Sequence, residues 1–358
     1  MTIALYTNIV SPHQLPFARE LVRRVGAENY RYVYAEPFHA ERAKMGWGNE
    51  TEPWLLSEHE RPAEARHWME TCDVLICCLR DLDLVEHRCR KGLLTFYCSE
   101  RWFKPPIGRL RLLVPSYRRM ALRFRSLVSA YPDFRLLPIG VHARRDFVRF
   151  GIAPEKMTTW GYFVAPSKGK HSGSRPAAAR TDGRALRVLW VGRLLALKRI
   201  DTLLEASAAA AKKVPLELTV VGDGPERPRL EKLARRLFAD HPSEFHFGHS
   251  VSIAHVRELM AENDVYVLSS NAYEGWGAVV SEALEEGMSV LGTREAGSCA
   301  TILPRERLFR CGDAPALAQL LTAEYEGTLP PCSIVGWTAS DAAERFLALC
   351  RQQRQQRE

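Results

Sequence analysis

The chain has 358 residues, an apolar fraction of 46% and a formal net charge of +8. That length predicts about two domains, each able to bury a core without disulfide or metal staples. The chain contains no apolar run of about eighteen residues, which excludes a predicted transmembrane helix, and its N-terminus, MTIALYTNIV, is typical of a first β-strand rather than a signal peptide. Its nine cysteines form no C-x-x-C pair, which favours reduced thiols in a cytoplasmic protein over disulfides or zinc.

The first half of the chain alternates short strand-like runs with segments of helical periodicity. The strands are predicted at Ile3–Thr7, Tyr30–Tyr34, Cys72–Leu79, Leu93–Cys98 and Leu136–Ile139, and the helices at Phe17–Val25, Leu82–Lys91 and Leu110–Val128. A long polar segment, 37–62, has weak periodicity and is predicted as a connecting loop.

The positive charge is concentrated between residues 101 and 149. From Glu100 to Phe150 the chain carries twelve basic and three acidic residues, a net charge of +9, so the remainder is close to neutral. Basic residues interleaved with large apolar ones suit an interfacial helix on an anionic membrane. The alternative is a helix whose apolar face packs on its own sheet while the arginines face water. Nucleic acid is a third candidate partner, but no nucleic-acid-binding motif is present and none is expected to bind.

The second half follows a polar segment, 165–184, that is rich in Gly, Ser and Pro and is predicted to be a linker. Strands and helices then alternate regularly. They are predicted at Arg187–Val191, Ile200–Lys212, Leu216–Val221, Arg229–Phe238, Phe245–Phe247, Ile253–Glu262, Val265–Leu268, Ala278–Glu286, Ser289–Leu291 and Pro315–Tyr325, with a last helix at Asp341–Cys350 and a frayed tail. This alternation predicts an α/β fold of two Rossmann-like, doubly wound domains that face a central cleft.

Three loops of the second half follow strands and are therefore expected at one edge of its sheet. The loop 192–199 carries Arg193 and Lys198, which suit the neutralisation of a diphosphate. The loop 222–225, Gly-Asp-Gly-Pro, is a tight turn. The loop that begins at Glu274 has Glu282 inside the following helix, with bare glycine amides between them. Backbone amides donate hydrogen bonds to phosphate oxygens, and carboxylates accept hydrogen bonds from sugar hydroxyls. The pattern therefore favours a nucleotide sugar as the ligand. The alternative is a glycine-rich turn with solvated glutamates.

The segments VGRLLALKRIDTLLEA, VVGDGPERPRLEKLA, FHFGHS and NAYEGWGAVVSEALEEGMSVLGT resemble the donor domain of retaining GT-B glycosyltransferases of family four. The resemblance covers residues 188–293, with the motifs in the family's order. The family's signature is a pair of glutamates with seven residues between them. The resemblance implies that Glu274 lies at the transferred sugar and Glu282 at the ribose.

The same resemblance assigns further donor contacts. It implies that Arg193 and Lys198 bind the diphosphate and that the loop 249–251, with Val251, contacts the base. The amides that it places at phosphate or sugar oxygens are those of Gly275, Trp276 and Gly277. The family needs no metal, and we expect neither a metal nor another cofactor beyond the sugar donor, with UDP or GDP as the nucleotide.

The first half is similar to the acceptor domain of enzymes that build surface polysaccharides or lipid-linked glycans. His13 stands where the family has a glycine-containing loop, which makes it a candidate for the reaction centre; the alternative is a loop histidine without a role. The family's histidine after the strand Leu93–Cys98 is absent here, and Glu100 is the candidate replacement.

Together with these residues, the resemblance implies a hexosyltransferase that moves a sugar, with retention and without metal, from a nucleoside diphosphate to a glycan or lipid-linked acceptor. The domains are expected at 1–164 for the acceptor and 185–335 for the donor, with a linker at 165–184 and a C-terminal helix in 336–358 that packs back on the first domain. The expected location is cytoplasmic, at the inner face of a membrane. The alternatives are an epimerase or phosphorylase of the same fold, or a non-catalytic, membrane-associated nucleotide-sugar-binding module.

Overall fold

The computed structural model describes residues 1–36, 51–167, 183–240 and 244–356. The chain divides into two compact units. Unit 1 comprises Met1–Ala165 and Gly336–Glu358, and unit 2 comprises Pro166–Val335. Most of the predicted linker lies outside the described residues.

Unit 1 is built on a parallel sheet. Its described strands are β1 (Ile3–Thr7), β2 (Tyr30–Tyr34), β3 (Leu55–Ser57), β4 (Val74–Cys77), β5 (Leu94–Ser99) and β6 (Phe134–Pro138). Its helices are α1 (Leu15–Val25), α2 (Pro62–Thr71), α3 (Leu82–Arg90), α4 (Pro115–Ala130) and α5 (Gly140–Arg149), and the C-terminal α12 (Ala339–Gln355). The strand order is β3-β2-β1-β4-β5-β6.

Unit 2 repeats this plan. Its described strands are β7 (Leu186–Val191), β8 (Leu216–Val221), β9 (Phe245–Gly248), β10 (Val265–Leu268), β11 (Ser289–Thr293) and β12 (Leu308–Phe309). Its helices are α6 (Ile200–Ala211), α7 (Arg227–Leu237), α8 (Ile253–Glu262), α9 (Val279–Glu285), α10 (Gly297–Ile302) and α11 (Ala314–Tyr325). The strand order is β12-β11-β10-β7-β8-β9. Read from the β9 edge, it is the same Rossmann order as in unit 1, with β7 and β10 in the places of β1 and β4. The predicted α/β class with two Rossmann-like domains is confirmed.

Burial on both faces explains why these strands are almost continuously apolar. In β10, Val265 and Val267 enter one hydrophobic cluster, whereas Tyr266 and Leu268 enter the cluster on the opposite face. Successive side chains of a strand point to opposite faces, so a sheet covered by helices on both sides needs apolar residues at every position.

Several elements were absent from the sequence prediction. The predicted loop 37–62 contains β3 near its end, although residues 37–50 lie outside the described part of the chain. The helices Pro62–Thr71 and Gly140–Arg149 were also missed. Both are only ten residues long and rich in polar residues, so each offers a short apolar pattern.

The prediction of one basic helix over Leu110–Val128 is wrong in its first turn. Residues Gly108–Leu113 form a 3₁₀ helix, and α4 begins at Pro115 after the extended residue Val114. Proline favours the first helical position and disfavours helical geometry in the residue before it, so the two segments are separate. Within α4, the buried face packs on the sheet of unit 1 through residues that include Phe124 and Val128.

The C-terminal helix is longer than predicted, and the expectation of a frayed tail is wrong. Helix α12 continues to Gln355, and the buried side chain of Gln353 accepts a hydrogen bond from Arg135 at 3.1 Å. Near the middle of the helix, Phe346 packs against Phe17 and Phe96 of unit 1, with ring centroids 5.9 Å and 5.1 Å away. No helix in the described ranges is both long and apolar enough to cross a bilayer.

Candidate functional site

The strand order of unit 2 places β7 beside β10. Between these neighbours the direction of winding reverses, because the chain runs from β7 outward to β9 and then returns to β10. Ligands of open α/β sheets bind beyond the carboxyl ends of the strands at this switch point. The two loops that flank it are 192–199 after β7 and 269–278 after β10, which are the loops with the predicted donor residues.

The loops after β7 and β8 are held together by their backbones. The amide of Leu194 donates to the carbonyl of Asp223 at 2.9 Å, and the amide of Glu226 donates to the carbonyl of Leu194 at 3.1 Å. Gly222 has φ +150°, and a Cβ added there would lie 1.8 Å from the carbonyl oxygen of Gly192. The tight turn noted in the sequence therefore requires glycine at this position, because only a residue without a Cβ lets the two backbones approach so closely.

The loops after β7 and β10 meet through an ion pair. The ammonium of Lys198 lies 2.5 Å from a carboxylate oxygen of Glu274, and the two side chains are only 19% and 14% exposed. The Ser269 hydroxyl donates to the carbonyl of Lys198 at 2.7 Å, and the amide of Asn271 donates to the carbonyl of Leu197 at 2.8 Å. Folding thus gathers a cation and a carboxylate, 76 residues apart in the chain, at the switch point.

Glu282 lies in the first turn of α9, and its charge acts on the buried hydroxyl of Tyr266. Burial raises the pKa of Tyr266 well above its usual value, and the charges of Glu274 and Glu282 raise it further. The protonated hydroxyl donates to the carbonyl of Val191 at 3.2 Å. Both predicted carboxylates are therefore near enough to the Tyr266 hydroxyl for their charges to act on it.

The backbone between the two glutamates is shaped by glycine. Gly277 has φ +82°, and a Cβ there would lie 2.8 Å from the Leu268 side chain. The amides of Gly275 and Gly277 have no acceptor among the described residues. Between them, the carbonyl of Trp276 accepts a hydrogen bond from the amide of Ser298 at 2.8 Å, and the Trp276 side chain is buried. This backbone can donate to phosphate or sugar oxygens.

Arg193 and Val251 lie on the loops after β7 and β9 and are exposed. No side chain in the described ranges pairs with the Arg193 guanidinium. Beside Val251, the carboxylate of Asp223 accepts from the amide of Ser250 at 2.7 Å and contacts a ring nitrogen of His249 at 2.9 Å. These hydrogen bonds hold the pKa of Asp223 below its usual value. The ionised carboxylate therefore fixes the loop after β9 across the neutral pH range.

Unit 1 has a cavity of about 420 Å³ at the equivalent switch point, between the ends of β1 and β4. Both His13 and Glu100 line it. The carboxylate of Glu100 pairs with Lys104 at 2.7 Å and accepts from the Tyr162 hydroxyl at 3.5 Å. The structure thus brings together the two predicted residues of the first half, and it adds a hydrogen-bonding phenol.

Sequence reasoning missed several of these partners. Asp223 and His249 lie on different loops, 26 residues apart, and no local pattern links them. Lys104 follows Glu100 by four residues, a spacing that could have indicated the pair if the segment had been predicted to turn. In the described ranges, no group of three or more His, Cys, Asp or Glu residues is arranged to hold a metal ion.

Part of the chain is similar in sequence to known proteins. Residues 185–325 match the family model of glycosyl transferases group 1. The chain is 31% identical over 124 residues to N-acetyl-alpha-D-glucosaminyl L-malate synthase of Bacillus anthracis, a match covering 34% of this chain and 31% of that protein. It is 31% identical over 106 residues to the GtfA subunit of the UDP-N-acetylglucosamine–peptide N-acetylglucosaminyltransferase of Limosilactobacillus reuteri, over 29% of this chain and 20% of that protein. The matches span less than a third of these curated relatives.

Solved structures match nearly the whole chain at low identity. HepE of Anabaena, solved in complex with UDP, superposes with a TM-score of 0.60 at 14% identity, over 99% of this chain and 98% of that one. The lipopolysaccharide outer core galactosyltransferase WaaB gives 0.61 at 14% identity, over 92% of each chain. The resemblance inferred from the motifs is confirmed for the fold and the family match: the chain has the GT-B fold, and its residues 185–325 match the family model of glycosyl transferases group 1.

Proposed function

We propose that the protein is a retaining glycosyltransferase that moves a hexose from a nucleoside diphosphate sugar to a hydroxyl group. The observation that carries the proposal is the half-buried ion pair of Lys198 with Glu274 at the switch point of unit 2. It lies in the part of the chain that matches the glycosyl transferases group 1 family.

The donor would be held by the groups that converge on this edge. Lys198 and the unpaired Arg193 would neutralise the diphosphate as it leaves, and the amides of Gly275 and Gly277 would donate to its oxygens. Glu274 would accept hydrogen bonds from hydroxyls of the transferred sugar while its contact with Lys198 holds it in orientation. Glu282 would accept from the ribose. Retention follows the resemblance, in which the leaving phosphate helps to take the acceptor proton.

UDP is the nucleotide to test first. The Limosilactobacillus reuteri relative is named for UDP-N-acetylglucosamine, and the Anabaena neighbour was solved with UDP. We therefore propose UDP-N-acetylglucosamine as the first donor to assay, with GDP sugars as the comparison.

A melting-temperature assay with Glu282→Ala tests the donor site. UDP at about a hundred times its Kd should raise the melting temperature of the wild type by roughly 5–10 °C, because a ligand that binds only the native state adds about 2.7 kcal/mol. The variant should lose most of this shift. Glu258→Ala, which removes an exposed carboxylate from α8, should keep it.

A melting temperature unchanged by UDP, GDP and their sugar conjugates would overturn the donor site. A shift without transfer to any acceptor would favour the non-catalytic binding module instead. The anomeric configuration of a product, read from proton coupling by NMR, tests retention. Activity that survives EDTA would support catalysis without metal.

We propose that the cavity of unit 1 binds the acceptor, a glycan or lipid-linked hydroxyl compound. His13 and Glu100 both line it, which supports the proposal that they contact the hydroxyl that reacts. A surface polysaccharide or lipid-linked product would also suit a protein that contacts an anionic membrane through residues 101–149, where the positive charge is concentrated.

The variant His13→Ala tests this assignment. We expect the transfer rate to fall by roughly 10²–10⁴-fold, the range for loss of a general acid or base, with the UDP-induced melting shift unchanged. His59→Ala, at a surface position of unit 1, is the matched control. Equal transfer rates for His13→Ala and wild type would show that His13 is a loop residue without a role.

A further inference from the structure

The basic segment of unit 1 contains a groove that the donor and acceptor sites do not use. Its volume is about 470 Å³, and its walls carry both arginines and apolar side chains. We call it the arginine groove and define it by Arg109, Leu112, Arg118, Leu122, Arg125 and Arg149. The 3₁₀ segment, α4 and the end of α5 each contribute to it.

The charge of the arginine groove is not neutralised. Arg109, Arg118 and Arg149 are exposed, and no described side chain forms an ion pair or hydrogen bond with any of them. The carboxylate of Asp146, the acidic residue nearest in sequence to Arg149, is paired with Arg101 at 3.0 Å. No carboxylate lines the groove. Several guanidinium groups around one concave surface are suited to a phosphate, which they can bind with paired hydrogen bonds.

An apolar ridge stands beside these arginines. The exposed large apolar side chains in the described part of unit 1 all lie between Ile107 and Val148. Leu110 and Leu113 are the most exposed of them, at 64% and 77%. They are three residues apart in a 3₁₀ helix, which has three residues per turn, so they lie in line on one side. Leu113 lines the arginine groove together with Arg109 and Leu112, so the apolar ridge adjoins the arginines directly.

We infer that the arginine groove is a docking site for the phosphate headgroup of an anionic membrane lipid, with Leu110 and Leu113 entering the acyl region. A phosphate surrounded by water does not require exposed leucines. A single-stranded nucleic acid would stack its bases on exposed aromatic rings, and Phe150, the aromatic residue that lines the groove, is buried. An anionic bilayer presents both phosphates and an apolar interior within a few ångströms of each other. This inference deepens the membrane contact proposed above, and it requires no sugar transfer.

Sedimentation of the full chain with vesicles tests the inference without donor or acceptor, so its outcome is separate from that of the transferase proposal. Binding should be strong to phosphatidylcholine vesicles that contain phosphatidylglycerol and weak to phosphatidylcholine alone. Arg118→Gln/Arg149→Gln should weaken binding by roughly 25-fold, because each basic residue near an anionic surface contributes about 1 kcal/mol. Arg235→Gln/Arg236→Gln removes the same charge from α7 in unit 2 and should change binding little.

Substitution of the two leucines distinguishes binding to a membrane from binding to a soluble phosphate. Leu110→Ser/Leu113→Ser leaves the charge unchanged and should abolish the fraction of vesicle binding that resists high salt, while Val335→Ser, at an exposed site of unit 2, should not. Glycerol phosphate should compete poorly with vesicles. The inference is overturned if the two arginine pairs behave alike, if the serine variant binds like wild type, or if single-stranded RNA binds and vesicles do not.

Discussion

Replacing Lys198 with alanine is expected to lower kcat/KM for sugar transfer by roughly 10²–10³-fold, the loss found when one preorganised charge at a reaction centre is removed. Lys198 is half-buried and touches Glu274, so its removal takes away a charge at the diphosphate and also leaves that carboxylate without its cation. Initial rates with UDP-N-acetylglucosamine and a hydroxyl acceptor would measure the effect. Lys232→Ala, at an exposed position of α7, is the matched control.

A double-mutant cycle with Glu274→Gln extends this test. The two side chains are in contact, so their effects on the rate should be non-additive by about 0.5–3 kcal/mol. Melting temperatures of the variants show whether the loss is one of folding rather than of chemistry. A Lys198→Ala enzyme within a few-fold of wild type, or effects that simply add, would contradict the role proposed for the pair.

The variant Gly222→Ala is expected to destabilise the protein by about 3 kcal/mol and to weaken the binding of UDP. The positive φ costs an alanine about 1–3 kcal/mol, and its Cβ would also overlap the carbonyl of Gly192, 1.8 Å away. The overlap can be relieved only by moving the loop that carries Arg193 and Lys198. Urea unfolding and the UDP-induced melting shift would measure the two effects.

The variant Gly92→Ala distinguishes the cost of a positive φ from the cost of steric overlap of the added Cβ. Gly92 has φ +66°, but an added Cβ there meets nothing within 4 Å. Its substitution should cost only the strain, about 1 kcal/mol, and should leave UDP binding unchanged. Equal destabilisation by the two substitutions would mean that the loops after β7 and β8 are not in the close contact described above.

The α/β class of both units followed from the sequence because the pattern is repeated. Apolar runs of four to six residues, such as Val265–Leu268, alternate with segments of helical period, and only a parallel sheet covered on both faces needs that alternation. The parallel arrangement also identified the candidate loops, because the loops that follow parallel strands lie at the same edge of the sheet. The prediction of a single helix over Leu110–Val128 failed because Pro115 begins a new helix and separates the basic stretch into two elements.

By itself, the sequence determined the fold class and the residue types of the candidate donor site, because periodicity and strand-to-loop order are local properties. Only the tertiary structure decided which of these residues meet. The strand order places β7 beside β10, and this brings Lys198 to Glu274 across 76 residues. It likewise brings His13 and Glu100 into one cavity and leaves the leucines at 110 and 113 exposed beside unpaired arginines. Contacts of this kind depend on packing between distant segments, for which a single sequence carries no local signal.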